Sequence, residues 1–241
     1  MIRAQLDKPT KTIAEGIDQL HVVTSKTPLF LAAPYQIRVS IKATCVNYPD
    51  LLMLANQYQH QASFPFVPGL EWAGQITHTG ASVQGYKVGD RIMGTGSGLC
   101  SHKTIDTTTT FPLLVPESLT YSQAAAFWVG FSTAYHCLVE RGGLQPGQWI
   151  LINGGTGGMG MAAVLLAKQL GAHVVVTGGT NEKLKQVIEN YKSLDLNLEY
   201  LTNENKNLRK VLDAENIVNV ENIINSKDIV LAKVLIDKNS P

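Results

Sequence analysis

The sequence predicts an α/β plus β protein, a β-rich first domain followed by a partial, doubly wound parallel sheet. Three observations carry this. From Tyr35 to about Ile105, short β-rich runs alternate with Gly and Pro punctuation. From Trp149 to Thr177, a buried strand, a glycine loop, an apolar helix and a second buried strand follow in order, the opening of a parallel βαβ unit. After Gly179 the composition changes: all 21 glycines lie at or before that residue, and eleven of the fourteen asparagines lie at or after Asn181.

The totals limit the function classes. A chain of 241 residues with 44% apolar and 16% charged residues can bury a sizeable core. Twenty basic and nineteen acidic residues leave a formal charge of +1, without the single-sign surplus expected for nucleic acid or an anionic membrane, so a small-molecule partner is expected. No apolar run has the length of a membrane span and the start lacks the core of a signal peptide, which predicts a cytoplasmic protein. Three widely spaced cysteines, Cys45, Cys100 and Cys137, give neither a disulfide framework nor a CxxC metal motif.

In chain order, runs such as Ile37-Arg38-Val39-Ser40-Ile41 and Gly74-Gln75-Ile76, broken at Pro68-Gly69, Gly85 and Gly89-Asp90, predict a small, strongly bent barrel or sandwich. Around Ser122, taken as an N-cap, the pattern turns helical and Ala124, Ala125, Phe127 and Trp128 open an apolar face. Trp149 to Asn153 and His173 to Thr177 are buried strands, Met161 to Leu170 the helix between them, and Glu182 to Tyr191 a further helix. Residues 194–226 offer no glycine for a tight βα turn, and Lys227 to Ile236 again read as strand. The expected division is a domain over 1–121, a partial α/β domain over 122–226, and a closing strand in 227–241, with a return to the first domain open to it.

Gly155-Thr156-Gly157-Gly158-Met159-Gly160 fits GxGxxG directly after a buried strand and before a helix, the context a dinucleotide site requires. The first glycine allows the tight turn, the second lets the backbone approach a pyrophosphate, and the third lets helix and strand pack closely. Free N–H groups at the helix start face the anion. An NAD-selective site usually places a carboxylate at the end of the second strand; here Thr177-Gly178-Gly179-Thr180 stands there, with Lys183 one turn on. Hydroxyls and an ammonium suit a 2′-phosphate, which predicts NADPH.

Several motifs in one order resemble the medium-chain dehydrogenase/reductase family. They are Cys45-Val46-Asn47-Tyr48-Pro49-Asp50-Leu51-Leu52, Tyr58, Phe66 to Gly74, Val88-Gly89-Asp90-Arg91, Ala124-Ala125-Ala126, Thr133-Ala134-Tyr135, Leu144-Gln145-Pro146-Gly147, the glycine loop and Glu182-Lys183. The resemblance implies a GroES-like β domain for the substrate and a Rossmann domain for the cofactor. It also implies the zinc-free, quinone oxidoreductase-like branch. Asn47 and Leu70 stand where the alcohol dehydrogenase branch has zinc-ligating Cys and His, and the four-cysteine structural lobe is missing.

By the same resemblance, the protein reduces a quinone or α,β-unsaturated carbonyl with NADPH, and Asn47, Tyr48, Asp50 and Tyr58 surround the substrate. Tyr58 matches the tyrosine of related enoyl reductases and Thr133 a residue at the nicotinamide. Asn47 and Asp50 could instead cap the following helix, Tyr58 could be a surface aromatic, and Lys183 a solvated helix lysine. His102 reads as structural or as a cleft wall. Only the first half of the family's doubly wound sheet is recognisable, and the strand with which the family often forms homodimers is not. The competing expectation is a catalytically silent member that acts as a nucleotide- or protein-binding module.

Overall fold

A computed structural model describes residues 1–25, 33–180, 182–185, 189, 199–201 and 229–230. The chain divides into two compact units, Met1–Val129 and Gly130–Pro241.

The first unit opens with β1 (Ile2–Gln5), α1 (Ile13–Gln19) and β2 (His21–Thr24), with β1 and β2 paired antiparallel. It continues with β3 (Gln36–Cys45), α2 (Tyr48–Leu54), β4 (Glu71–Thr79), β5 (Arg91–Thr95), β6 (His102–Asp106), β7 (Leu113–Leu114) and α3 (Tyr121–Ala125). The five-stranded sheet runs β6-β3-β4-β5-β7 and every neighbouring pair is antiparallel. Register shifts at Arg38/Val39 and Ile41/Ala43 interrupt the β3–β4 ladder, the kind of irregularity that bends a strand and tightens its twist.

Alternation along β4 and β5 gives the sheet two apolar faces. Trp72, Ile76 and Ile92 join Ile37, Val39 and Ile105 in one buried cluster. Ala73 and Met93 point the other way and pack with Val115, Ala124 and Ala125 in a second. Ala124 and Ala125 of α3 therefore belong to the first unit's core, and the division falls after Val129 rather than after 121. The N-cap of α3 is Thr120, not Ser122: its hydroxyl accepts from Gln123 N at 3.2 Å while Gln123 Oε1 accepts from Thr120 N at 2.9 Å, a reciprocal capping box.

α4 (Trp128–Tyr135) runs into a π-helical turn over His136–Arg141. β8 (Trp149–Ile152), α5 (Gly158–Gln169) and β9 (His173–Thr177) form the expected unit, with β8 and β9 parallel. Ile150, Ile152, Val174 and Val176 pack against Ala162, Ala163, Val164 and Ala167 of α5. Residues 182–185 and 189 are helical, as expected for that stretch.

Two further strands extend the sheet of the second unit. β10 (Glu199–Leu201) pairs parallel with β9, within the stretch 194–226 that the sequence leaves without an assigned element. β11 (Ile229–Val230) pairs parallel with β8, so the closing strand joins the second unit and does not return to the first. The sheet order is β10-β9-β8-β11, or 3-2-1-4 by strand, which includes the crossover where a doubly wound sheet reverses direction.

Candidate functional site

In the second unit the glycine loop is built by contact as much as by turn geometry. The left-handed residue is Gly154, with φ 71°, one position before the glycine expected to make the tight turn. Gly155 is required by packing: a Cβ there would lie 2.2 Å from Val176 Cγ1 on β9. Gly160 closes the helix onto the loop, since its Cβ would lie 2.2 Å from the Gly154 carbonyl oxygen and 2.6 Å from Gly155 Cα. Gly157 is exposed and unhindered, the nearest atom to a Cβ being the Gly154 oxygen at 3.6 Å. Nothing would obstruct a side chain at Gly158 either.

The loop is pinned to β9 by Gly155 N donating to Thr177 O at 3.0 Å. The Thr177 hydroxyl donates to Asn153 Oδ1 at 2.9 Å and accepts from Gly154 N at 3.3 Å. Helical bonding begins with Met161 N to Gly157 O at 2.8 Å, and no side chain caps α5. The N–H groups of Gly158, Met159 and Gly160 thus open toward an anion at the positive end of a twelve-residue helix. This is a cradle that fits a pyrophosphate.

Beyond β9, Gly178 packs tightly: its Cβ would lie 2.8 Å from Thr156 Cγ2, whereas Gly179 is open. Thr180 starts the next helical segment by accepting from Lys183 N at 3.3 Å. Lys183 is exposed in that first turn. Its neighbour Glu182 has a pKa held below the usual carboxylate range by its own backbone N–H and the Thr180 hydroxyl. Thr133 is half-buried on α4.

In the first unit the structure brings Asn47 and Asp50 together and adds a residue that the sequence motifs do not single out. Asp50 is buried; its Oδ1 accepts from Gly69 N at 2.7 Å, and its Oδ2 accepts from Asn47 N at 2.8 Å and Leu70 N at 3.3 Å. It thereby closes the capping box of α2 and clamps the Gly69-Leu70 turn. Of the two roles open to Asp50, capping is the one this geometry displays; its carboxylate orders the backbone around Asn47.

The added residue is Glu71, at the start of β4 and only 2% exposed. Its Oε1 accepts from Asn47 Nδ2 at 2.9 Å and its Oε2 from Val129 N at 2.9 Å. Asn47 is therefore held at backbone and amide by two carboxylates, with one amide N–H left over. Burial first, then Glu71 and Asp50, raise the pKa of the neighbouring Cys45 thiol and keep it protonated. The sequence signal for Glu71 is a carboxylate heading the otherwise buried run Trp72-Ala73-Gly74, where a charge survives only with partners.

Tyr58 is not gathered into this cluster. It is half-buried in the segment after α2, with no hydrogen bond to its hydroxyl among the described residues. Among the described residues no group of three or more His, Cys, Asp or Glu side chains could hold a metal ion, and no helix is long and apolar enough to cross a membrane.

A bent antiparallel domain followed by a parallel sheet with a helix-capping glycine cradle defines a dehydrogenase-like class of protein, and comparisons with known proteins agree. The alcohol dehydrogenase GroES-like domain model matches residues 33–170, and the C-terminal domain model of alanine dehydrogenase/PNT matches 123–241. The chain belongs to the quinone oxidoreductase-like branch of the medium-chain dehydrogenase/reductase family. It is 34% identical over 157 residues to the quinone oxidoreductase-like protein 2 homolog of Nematostella vectensis, covering 64% of this chain and 42% of that protein. It is also 34% identical over 182 residues to a phenolphthiocerol/phthiocerol polyketide synthase of Mycobacterium tuberculosis, covering 76% of this chain and 8% of that protein. Among solved structures, the Escherichia coli quinone oxidoreductase complexed with NADPH aligns with TM-score 0.69 at 25% identity, over 90% of this chain and 63% of that one. A probable oxidoreductase from Mycobacterium abscessus aligns with TM-score 0.73 at 29% identity, over 90% and 66%. The chain thus spans under half the length of the sea anemone relative and under two thirds of these structures.

Proposed function

We propose that this chain binds NADPH on its glycine loop and acts as a zinc-free reductase of quinones or α,β-unsaturated carbonyls. The observation that carries the reading is the double contact at Gly155 and Gly160, which presses α5 onto β9 and leaves Gly157 bare above three open N–H groups. That combination suits close approach of a dinucleotide pyrophosphate.

When bound, the cofactor supplies a hydride for the electron-poor carbon of the acceptor. Gly157, Gly158 and Met159 hold the pyrophosphate. Thr156, Thr177, Gly178, Gly179 and Lys183 surround the adenosine ribose, with the Lys183 ammonium on the 2′-phosphate. Thr133 contacts the nicotinamide end. The remaining amide N–H of Asn47 and the Tyr58 hydroxyl donate to the acceptor's carbonyl oxygen, where negative charge collects. Asp50 and Glu71 fix the orientation of Asn47, so that donor needs no rearrangement as the charge develops.

A four-stranded sheet favours one qualification of this reading, a chain that holds the adenine half better than it turns over. A reacting carbon misplaced by about 1 Å loses on the order of a hundredfold in rate. Calorimetric titration with 2′,5′-ADP, NADPH and NADH, together with quinone-dependent NADPH oxidation on the same preparation, tests both parts. The expected result is similar affinity for 2′,5′-ADP and NADPH, weaker NADH, and turnover well below about 10 per second. Absence of NADPH binding overturns the proposal, and ordinary turnover overturns the qualification.

A further inference from the structure

The first unit contains a cavity of about 480 Å³ whose wall includes Arg3, Arg38, Ser97, Cys100, His102 and Lys103 and no acidic residue. Three separate stretches of chain build it. β1 lies against the loop before β6: Arg3 bridges to Cys100, Ala4 N donates to Leu99 O at 2.9 Å, and Ser101 N donates to Ile2 O at 2.7 Å. The β3–β6 register sets Arg38 opposite Thr104 and Ser40 opposite His102. Each basic residue is thus placed by main-chain pairing and not by a mobile loop.

Two of these cations meet only neutral partners. The Lys103 ammonium donates to Thr95 O at 3.3 Å and to the Gly96 carbonyl, and lies 5.5 Å from the Trp72 ring centroid. These partners are dipoles and a π face, which orient the ammonium without neutralising it. Arg3 Nε donates to the neutral Gln5 side chain at 2.7 Å. Among the described residues neither Arg3 nor Lys103 forms an ion pair.

The wall itself registers the positive field. Burial pushes the Cys100 thiol up, and Lys103 and Arg3 pull against it, with a His102 backbone hydrogen bond acting the same way. The His102 imidazole is pushed down by burial and then by the chain's amino terminus, Arg38 and Lys42. Burial lowers Lys103 as well. Partly desolvated cations without compensation are costly, and an anion entering the cavity relieves that cost.

We propose that this cavity, between β1, β3 and β6, is a phosphate-binding site, open to inorganic phosphate or to the phosphate of a small monoester. Two charges and several terminal oxygens match Arg3 and Lys103 together, with the arginine fork taking two oxygens and the Ser97 hydroxyl available for another. The volume exceeds what the ion needs, leaving room for the organic part of an ester. The site lies wholly in the first unit, and its argument does not depend on the cofactor reading of the second.

The test is isothermal titration of the 241-residue chain at low ionic strength in chloride, with inorganic phosphate, phenyl phosphate and benzoate as probes. A phosphate site that depends on Arg3 and Lys103 is expected, besides any uptake at the glycine loop, with benzoate at least tenfold weaker than phenyl phosphate there. Loss of a charge-assisted hydrogen bond in Lys103→Gln or Arg3→Gln weakens phosphate by about tenfold to a hundredfold. Arg3→Lys restores part of the loss, and Lys87→Ala, at an exposed lysine outside the cavity wall, leaves phosphate binding unchanged. Phosphate raises the melting temperature of the natural chain more than that of Arg3→Gln, whose thermal transition also checks that it folds. Binding of inorganic phosphate without phenyl phosphate assigns the site to the free ion; the reverse assigns it to the ester. Unchanged binding in both Gln variants, an equal loss in Lys87→Ala, or benzoate equal to phenyl phosphate overturns the proposal.

Discussion

Gly157 and Gly160 sit three residues apart in one motif, yet the structure asks different things of them, so a pair of alanine substitutions separates folding from ligand approach. In Gly160→Ala the new methyl meets the Gly154 oxygen at 2.2 Å and Gly155 Cα at 2.6 Å, both backbone atoms of a loop already pinned to Thr177. No side-chain rotation relieves that overlap, so α5 or the loop must shift, at a cost of about 1 to 3 kcal/mol for overpacking. For a chain of this size that lowers the melting temperature by about 2 to 12 °C. In Gly157→Ala the methyl meets nothing closer than 3.6 Å, and the residue's φ of −87° and ψ of 165° suit alanine. Reduced freedom in the unfolded chain favours this variant by about 0.4 to 1 kcal/mol, and the poorer N-cap offsets a similar amount. Its stability therefore stays within about 1 kcal/mol of the natural chain, while NADPH affinity falls because the methyl stands where the pyrophosphate would approach. Thermal melts with and without 2′,5′-ADP read both quantities. Equal melting of Gly160→Ala and the natural chain, or a Gly157→Ala variant that binds NADPH unimpaired, refutes the reasoning.

Glu71→Ala strips the acceptors from Asn47 Nδ2 and Val129 N together, and at about 0.5 to 1.5 kcal/mol per abandoned half-buried donor it lowers the urea midpoint. Glu71→Gln retains one acceptor and loses less; equal loss in the two variants would remove the carboxylate from its assigned role. Lys183→Ala weakens NADPH by about tenfold to a hundredfold and leaves NADH nearly untouched, as titration with each cofactor checks. Equal weakening of the two would unseat the 2′-phosphate contact. Elemental analysis of the purified chain is expected to find no stoichiometric zinc, and chelators to leave cofactor binding unchanged, because the amide of Asn47 and the side chain of Leu70 offer no tetrahedral pair. One zinc per chain would contradict the zinc-free reading.

The core of the second unit is legible in the sequence because its signals are local. Trp149 to Thr177 carries apolar runs of strand length around a glycine string, and the observed β8, α5 and β9 follow that pattern with a few residues' difference at the helix start. The capping box at α3 is also readable, since Thr120 and Gln123 stand at the required spacing, but Ser122 is an equally good cap residue by type. β11 falls inside Lys227 to Ile236, which reads as strand, but nothing there fixes its partner; β10, with three residues, has no period to detect, and what places both is parallel pairing to strands distant in the chain. Glu71 and the basic cavity escape a sequence reading for a related reason. Asn47 and Glu71 meet across a turn of chain, and Arg3, Arg38 and Lys103 converge only once β1, β3 and β6 are in register.

The position of β11 bears on how the chain is made. β8 finds its first neighbour, β9, soon after synthesis, but Trp149 and Ile150 pair on the other side with Ile229 and Val230, which leave the ribosome much later. For that interval the strand carrying the glycine loop has an unpaired edge, with bare N–H and C=O groups and the apolar residues of its core beside it. Pairing over so long a sequence separation is slow to nucleate. The second unit should therefore be the stage of biogenesis most dependent on chaperones, with β8 as the segment through which nascent copies associate with one another.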